Sequence, residues 1–162
     1  APAGRHVLHG RWTRVRALQP TRESHMQQIV VAAKAGADEP WLADAAADLA
    51  EQTGARLAVV SVDGLDVEMG ATMPRSEFAD MARTAAEGVA ARLRERGRDA
   101  EAHVRAGKVV SGVLIFAEEQ DADLILVGAS KRGPVAQRIL GDVSLELVSR
   151  SRRPVMVIAP PS

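Results

Sequence analysis

Short apolar runs alternate with segments of helical period along most of this chain, and that alternation leaves few folds open. The runs are Gln28–Ala33, Arg56–Val62, Asp99–Arg105, Leu124–Val127 and Val155–Ala159. Between them, apolar residues recur at spacings of three and four. Leu42, Ala45, Ala46, Leu49 and Ala50 follow the first run; Phe78, Met81, Ala82, Ala85, Val89 and Leu93 follow the second. Val110, Val113, Leu114 and Ala117 follow the third, and a fourth helix is expected over Gly141–Ser151. Strands separated by helices pair in parallel through right-handed crossovers, which puts helices on both faces of one sheet. Leu124–Val127 is apolar on both sides, as a central parallel strand must be. Asp99–Arg105 instead alternates Ala100, Ala102 and Val104 with Glu101, His103 and Arg105, which places it at an edge with His103 solvated.

Local punctuation agrees with these limits. Pro40 suits the first turn of a helix, and Asp38 and Glu39 favour its positive end. Gly54 and Gly97 stop helices, Ser76 is the expected N-cap of the second, and Gly88 weakens that helix slightly. Asp121 and Asp123 read as a solvated loop before a strand.

With 162 residues and 46% hydrophobic composition, the chain is long enough for one domain with a real core. No apolar run approaches the ~18 residues needed to span a bilayer, and no secretory signal is recognisable. The absence of cysteine excludes disulfides, thiol catalysis and cysteine-based zinc sites, and fits a cytoplasmic protein. The net charge of zero is uneven: residues 1–25 hold five Arg and one Glu, so +4, and the remainder carries −4. An acidic body argues against nucleic acid as a partner. Residues 1–25 form a basic extension, flexible or vector-derived, that could dock on a protein partner; residues 26–162 form the domain. His6 and His9 are candidate metal ligands, but with no carboxylates beside them a metal site is not expected.

Chemistry concentrates between Asp121 and Pro160. A strand ending at Gly128 runs through a Gly-punctuated loop into a helix, an arrangement that leaves backbone N–H groups and a helix dipole for an anion such as phosphate. Catalytic signals are missing: there is no Gly-x-Ser-x-Gly elbow, and Gly107-Lys108 lacks the upstream glycine and following hydroxyl of a P-loop.

This stretch resembles the universal stress protein family, whose nucleotide loop reads Gly, two residues, Gly, nine residues, Gly, then Ser or Thr. Here Gly128 and Gly141 match, Lys131 stands at the second Gly, and Asp142 stands at the Ser or Thr. The resemblance covers about Gln28–Pro160. It implies an adenine-nucleotide alpha-hydrolase-like fold: a doubly wound, open five-stranded parallel sheet of order 3-2-1-4-5. The order reverses between the first and fourth strands, so a cleft opens there, lined by Ala33, Lys34, Val62 and the Gly128 loop. Lys34 falls where ATP-binding relatives carry Asp. Lys131 crowds a close backbone approach, although its ammonium and that of neighbouring Arg132 are cations for phosphate. Asp142 satisfies the helix start with its own carboxylate and repels phosphate by roughly 1–3 kcal/mol per charge pair at ~5 Å. Val143 and Ser144 keep the rest of the family's pattern at this helix start.

The reading is thus a non-catalytic stress-response or regulatory module with a degenerate ATP loop. No cofactor is expected, and no membrane insertion. By resemblance it is a homodimer through Val155–Ala159. The alternatives are a nucleotide sensor using Lys34, Lys131 and Arg132, a domain associated with a membrane transporter, and a nucleotide hydrolase.

Overall fold

The computed structural model describes residues 26–64, 74–129 and 142–161. Five strands form one parallel sheet: β1 Gln28–Ala32, β2 Arg56–Asp63, β3 Ala100–Ala106, β4 Leu124–Gly128 and β5 Val155–Ile158, in the order β3-β2-β1-β4-β5. Among the described residues, four helices join them: α1 Pro40–Thr53, α2 Arg75–Glu95, α3 Val109–Glu119 and α4 Asp142–Arg150. The expected order and the two covered faces are both present.

The period of two in each strand divides the core. Ile29, Val31, Leu57, Val59, Leu124 and Leu126 point to one face, where they meet Leu42, Ala46 and Ala50 of α1 and Ala86 and Leu93 of α2. Val30, Ala58, Val60, Ile125 and Val127 point to the other, beneath Val113 and Phe116 of α3 and Leu147 of α4. β1 is buried at every position because it has a neighbour on each side and a layer above and below.

Helix ends follow the expected breakers with one correction. Pro40 opens α1, and Gly54, at φ 74°, closes it by donating its N–H to Ala50 O at 2.8 Å. Ser76 is not the N-cap of α2: the helix begins at Arg75, one residue earlier, and Pro74 precedes it in extended geometry. Proline's fixed φ sets the entry there without any capping side chain.

β3 lies at the edge, as expected, but His103 is not a solvated edge residue. Its ring lies 5.0 Å from that of Phe116, and the Arg105 guanidinium sits 5.1 Å from the same ring. Phe116 of α3 reaches that side of β3, so His103 and Arg105 lie against an aromatic ring and are only partly solvated. Asp123 is also more than a loop residue: its carboxylate accepts hydrogen bonds from the N–H groups of Gln27 and Gln28 at 2.8 and 3.0 Å. β5, at the other edge, is only partly covered, and Met156 is 41% exposed.

Candidate functional site

The strand order reverses between β1 and β4, and the backbone shows where they part. Ala32 is the last residue of β1 paired to both neighbours, opposite Val60 and Val127. Beyond it, Ala33 donates its N–H to Val60 O of β2 at 2.8 Å, whereas Ala129 donates to Ile158 O of β5 at 2.8 Å. The two strands therefore turn to different neighbours, and it is at such a reversal, here between Lys34 and Gly128 at the carboxyl ends of the strands, that open α/β sheets place a crevice.

A side chain that sequence reading assigned only to a helix dipole enters this crevice. Glu39 precedes α1, but its carboxylate does not cap that helix. It folds back, and Oε1 accepts the Lys34 N–H at 3.0 Å. The tight loop between them is closed by the Ala37 N–H donating to Lys34 O at 3.1 Å. Oε2 lies against Gly128: a Cβ on that residue would come within 2.1 Å of it. The Trp41 ring stands behind, 3.7 Å from the same point. One carboxylate thus bridges the ends of β1 and β4. Glu39 is 6% exposed, and this burial raises its pKa above the ordinary glutamate value; the Lys34 N–H and ammonium oppose the shift, and Asp38 adds to it.

The sequence-derived site residues fall into three groups. Ala33, Lys34 and Gly128 do flank the crevice, with Lys34 exposed and Ala33 buried under α1. Ser144 comes to Gly128 from the other face: its hydroxyl is buried and donates to Gly128 O at 3.4 Å. Asp142 and Val143 occupy the exposed first turn of α4. Val62 packs into the core beneath α3, where its methyls would meet a Cβ on Gly112 at 2.8 Å. Lys131, Arg132 and Gly141 lie outside the described residues.

Glu39 is the residue that sequence reading missed. A signal existed: glutamate is a poor N-cap, and one standing directly before a helix-opening proline has its carboxylate left for other use. A second buried carboxylate, Asp63, ends β2 and faces Arg75 at 3.9 Å. No group of three His, Cys, Asp or Glu among the described residues is placed to hold a metal ion. None of the described helices is long and apolar enough to cross a membrane.

Comparison with known proteins gives one family. The model of the universal stress protein family matches residues 25–159. Among solved structures, a universal stress protein in complex with cAMP is similar at 24% identity and TM-score 0.64, over 85% of this chain and all of that one. A universal stress protein from Archaeoglobus fulgidus is similar at 25% identity and TM-score 0.65, over 83% of this chain and 98% of that one. Another from Archaeoglobus fulgidus, in complex with dAMP, is similar at 20% identity and TM-score 0.60, over 84% and 99% of the two chains. No curated protein matches the chain.

Proposed function

The chain belongs to the universal stress protein family, and on that premise we propose that it is a non-catalytic, cytoplasmic regulatory module whose nucleotide cleft holds ATP weakly or not at all. One observation carries the reading: the crevice between β1 and β4 already contains a carboxylate of the protein, that of Glu39, seated on Gly128. Asp142 adds a second carboxylate at the start of α4, where a hydroxyl would serve a phosphate. Each anion brought near a triphosphate opposes it by about 1–3 kcal/mol at 5 Å in a medium of effective dielectric 20–60. Two structural relatives are complexes with cAMP and dAMP, each with a single phosphate. An adenine mononucleotide is therefore the ligand class that suits this cleft best. In this reading the protein acts as a homodimer through Val155–Ala159, since β5 is a half-exposed edge strand among the described residues.

Isothermal titration with MgATP tests the reading. The wild type is expected to give no heat of binding, and an Asp142→Ser, Lys131→Gly variant that also carries Glu39→Ala to bind. Micromolar binding by the wild type would overturn it. It would also favour the second reading, a nucleotide sensor in which Lys131 and Arg132 with the exposed Lys34 replace the lost loop contacts. In that case Lys131→Glu abolishes the binding. Phosphate release from ATP is expected to stay at background.

A further inference from the structure

We propose that Glu39 is an internal ligand that holds the nucleotide cleft shut, and that a nucleotide enters only by displacing its carboxylate from Gly128 and the Lys34 N–H. This rests on the cleft reading given above and assigns that cleft its control.

Three observations combine. First, the carboxylate is at the junction itself, bonded to the backbone of one wall and packed on the Cα of the other. A ligand approaching the Gly128 backbone meets Glu39 Oε2 first. Second, the position is costly for a carboxylate to keep. It accepts one backbone N–H, is nearly withdrawn from water, and has the like charge of Asp38 next to it in the chain. A group held that loosely is one an incoming polar ligand can replace, because the ligand's own oxygen can take over the Lys34 N–H. Third, nothing else in the described structure requires the side chain. α1 starts at Pro40 without any cap from it, and its backbone carbonyl already serves the helix by accepting the Leu42 and Ala43 N–H groups at 3.1 and 3.4 Å. The groups that face the carboxylate are the Lys34 backbone, the Lys34 and Asp38 charges, Trp41 and Gly128. Among the described residues, none is a salt-bridge partner of this carboxylate.

Gly128 takes on a second meaning in this arrangement. A glycine at the end of β4 can be kept for close approach of a phosphate, but here the close approach is made by the protein's own carboxylate. The same absence of a side chain serves the closed cleft and the occupied one, which is what a displaceable internal ligand needs.

The test is titration of AMP, with MgATP in parallel, into four proteins: wild type, Glu39→Ala, the Asp142→Ser, Lys131→Gly variant, and the three changes together. Glu39→Asp, which keeps the charge but draws it back by one methylene, serves as a second opening variant should Glu39→Ala fold poorly; circular dichroism and melting curves check each protein. Expected is AMP affinity at least tenfold higher in Glu39→Ala than in wild type, with a similar gain when Glu39→Ala is added to the loop variant. If the loop variant binds and removal of Glu39 adds nothing in either background, the gate is wrong and the cleft reading stands. If no protein binds either nucleotide, including the folded triple variant, both fall. If wild type binds AMP as tightly as Glu39→Ala, the cleft is open without displacement and the gate is again wrong.

Discussion

Two carboxylates stitch the same pair of strands, β1 and β4, at opposite ends of the sheet, and they do so in unlike ways. At the amino end, Asp123 accepts two backbone N–H groups, from Gln27 and Gln28, while remaining exposed to water. At the carboxyl end, Glu39 accepts one, from Lys34, while nearly fully buried. The first satisfies donors that would otherwise be lost at a strand start and keeps its own hydration. The second gives up hydration for a single bond, and its raised pKa records the shortfall. The contrast separates a structural staple from a functional one: similar chemistry and the same two strands, but only the second is held at an energetic loss.

The sharpest way to break this contrast is at Gly128. Gly128→Ala drives a methyl into Glu39 Oε2, the free end of a side chain that must swing away, and is expected to cost about 1 kcal/mol, or roughly 2–4 °C in Tm. Most of that cost should vanish in a Glu39→Ala background, because the two residues share the space. Equal costs in both backgrounds, by thermal melting, would mean that the carboxylate does not set the room at Gly128. Next, Asp123→Ala leaves the Gln27 and Gln28 donors to water and is expected to lose about 1–2 kcal/mol, whereas Glu39→Ala should lose little or nothing. If urea titration shows the two losses to be alike, the staple and the stopper are the same kind of device.

The smallest effect is the most specific. Glu39 binds its proton more readily folded than unfolded, so its stabilising contribution is fully present below the ordinary value of 4.5 and fades as pH rises through the raised folded value. Asp44, held low by Arg92 and Arg96, and Glu118, held low by Arg153, act with the opposite sign in a lower window. Their contribution is lost as pH falls through their depressed values. As pH rises above 4.5, Glu39→Gln should therefore flatten a downward slope in stability measured by urea titration. An unchanged slope would place the titrating group elsewhere.

Most of the fold was legible because it follows from period. β-branched runs alternating with alanine- and leucine-bearing helical segments allow few arrangements, and the family resemblance supplied the strand order. What was misread depends on neighbours that a local pattern does not name. The alternation in β3 placed His103 and Arg105 opposite Ala102, but not the fact that Phe116 would lie over them. Ser76 looked like a cap because its hydroxyl suits one, yet Pro74 had already set the helix entry. Of the candidate site, Ala33, Lys34 and Gly128 lie at the carboxyl ends of β1 and β4, and Ser144 bonds the Gly128 carbonyl. Glu39 was not, because its role exists only once the five-residue loop from Lys34 has turned and Gly128, far along the chain, has arrived beside it.

The last helix and strand are thinly anchored, and this bears on how the crevice moves. Among the nine residues of α4 only Ser144 and Leu147 are buried, and β5, with three partly covered residues and the exposed Met156, has a single neighbour among the described strands. Arg153 clasps the Ala122 carbonyl and Glu118 beneath them. Such a unit opens by local unfolding at a lower free energy than β1 and β2, so the amides of β5 should exchange with solvent well before those of β1. One side of the strand reversal, at Lys34, is thus expected to be the more protected, and the other, at Gly128, to lie beside the strand that exchanges first.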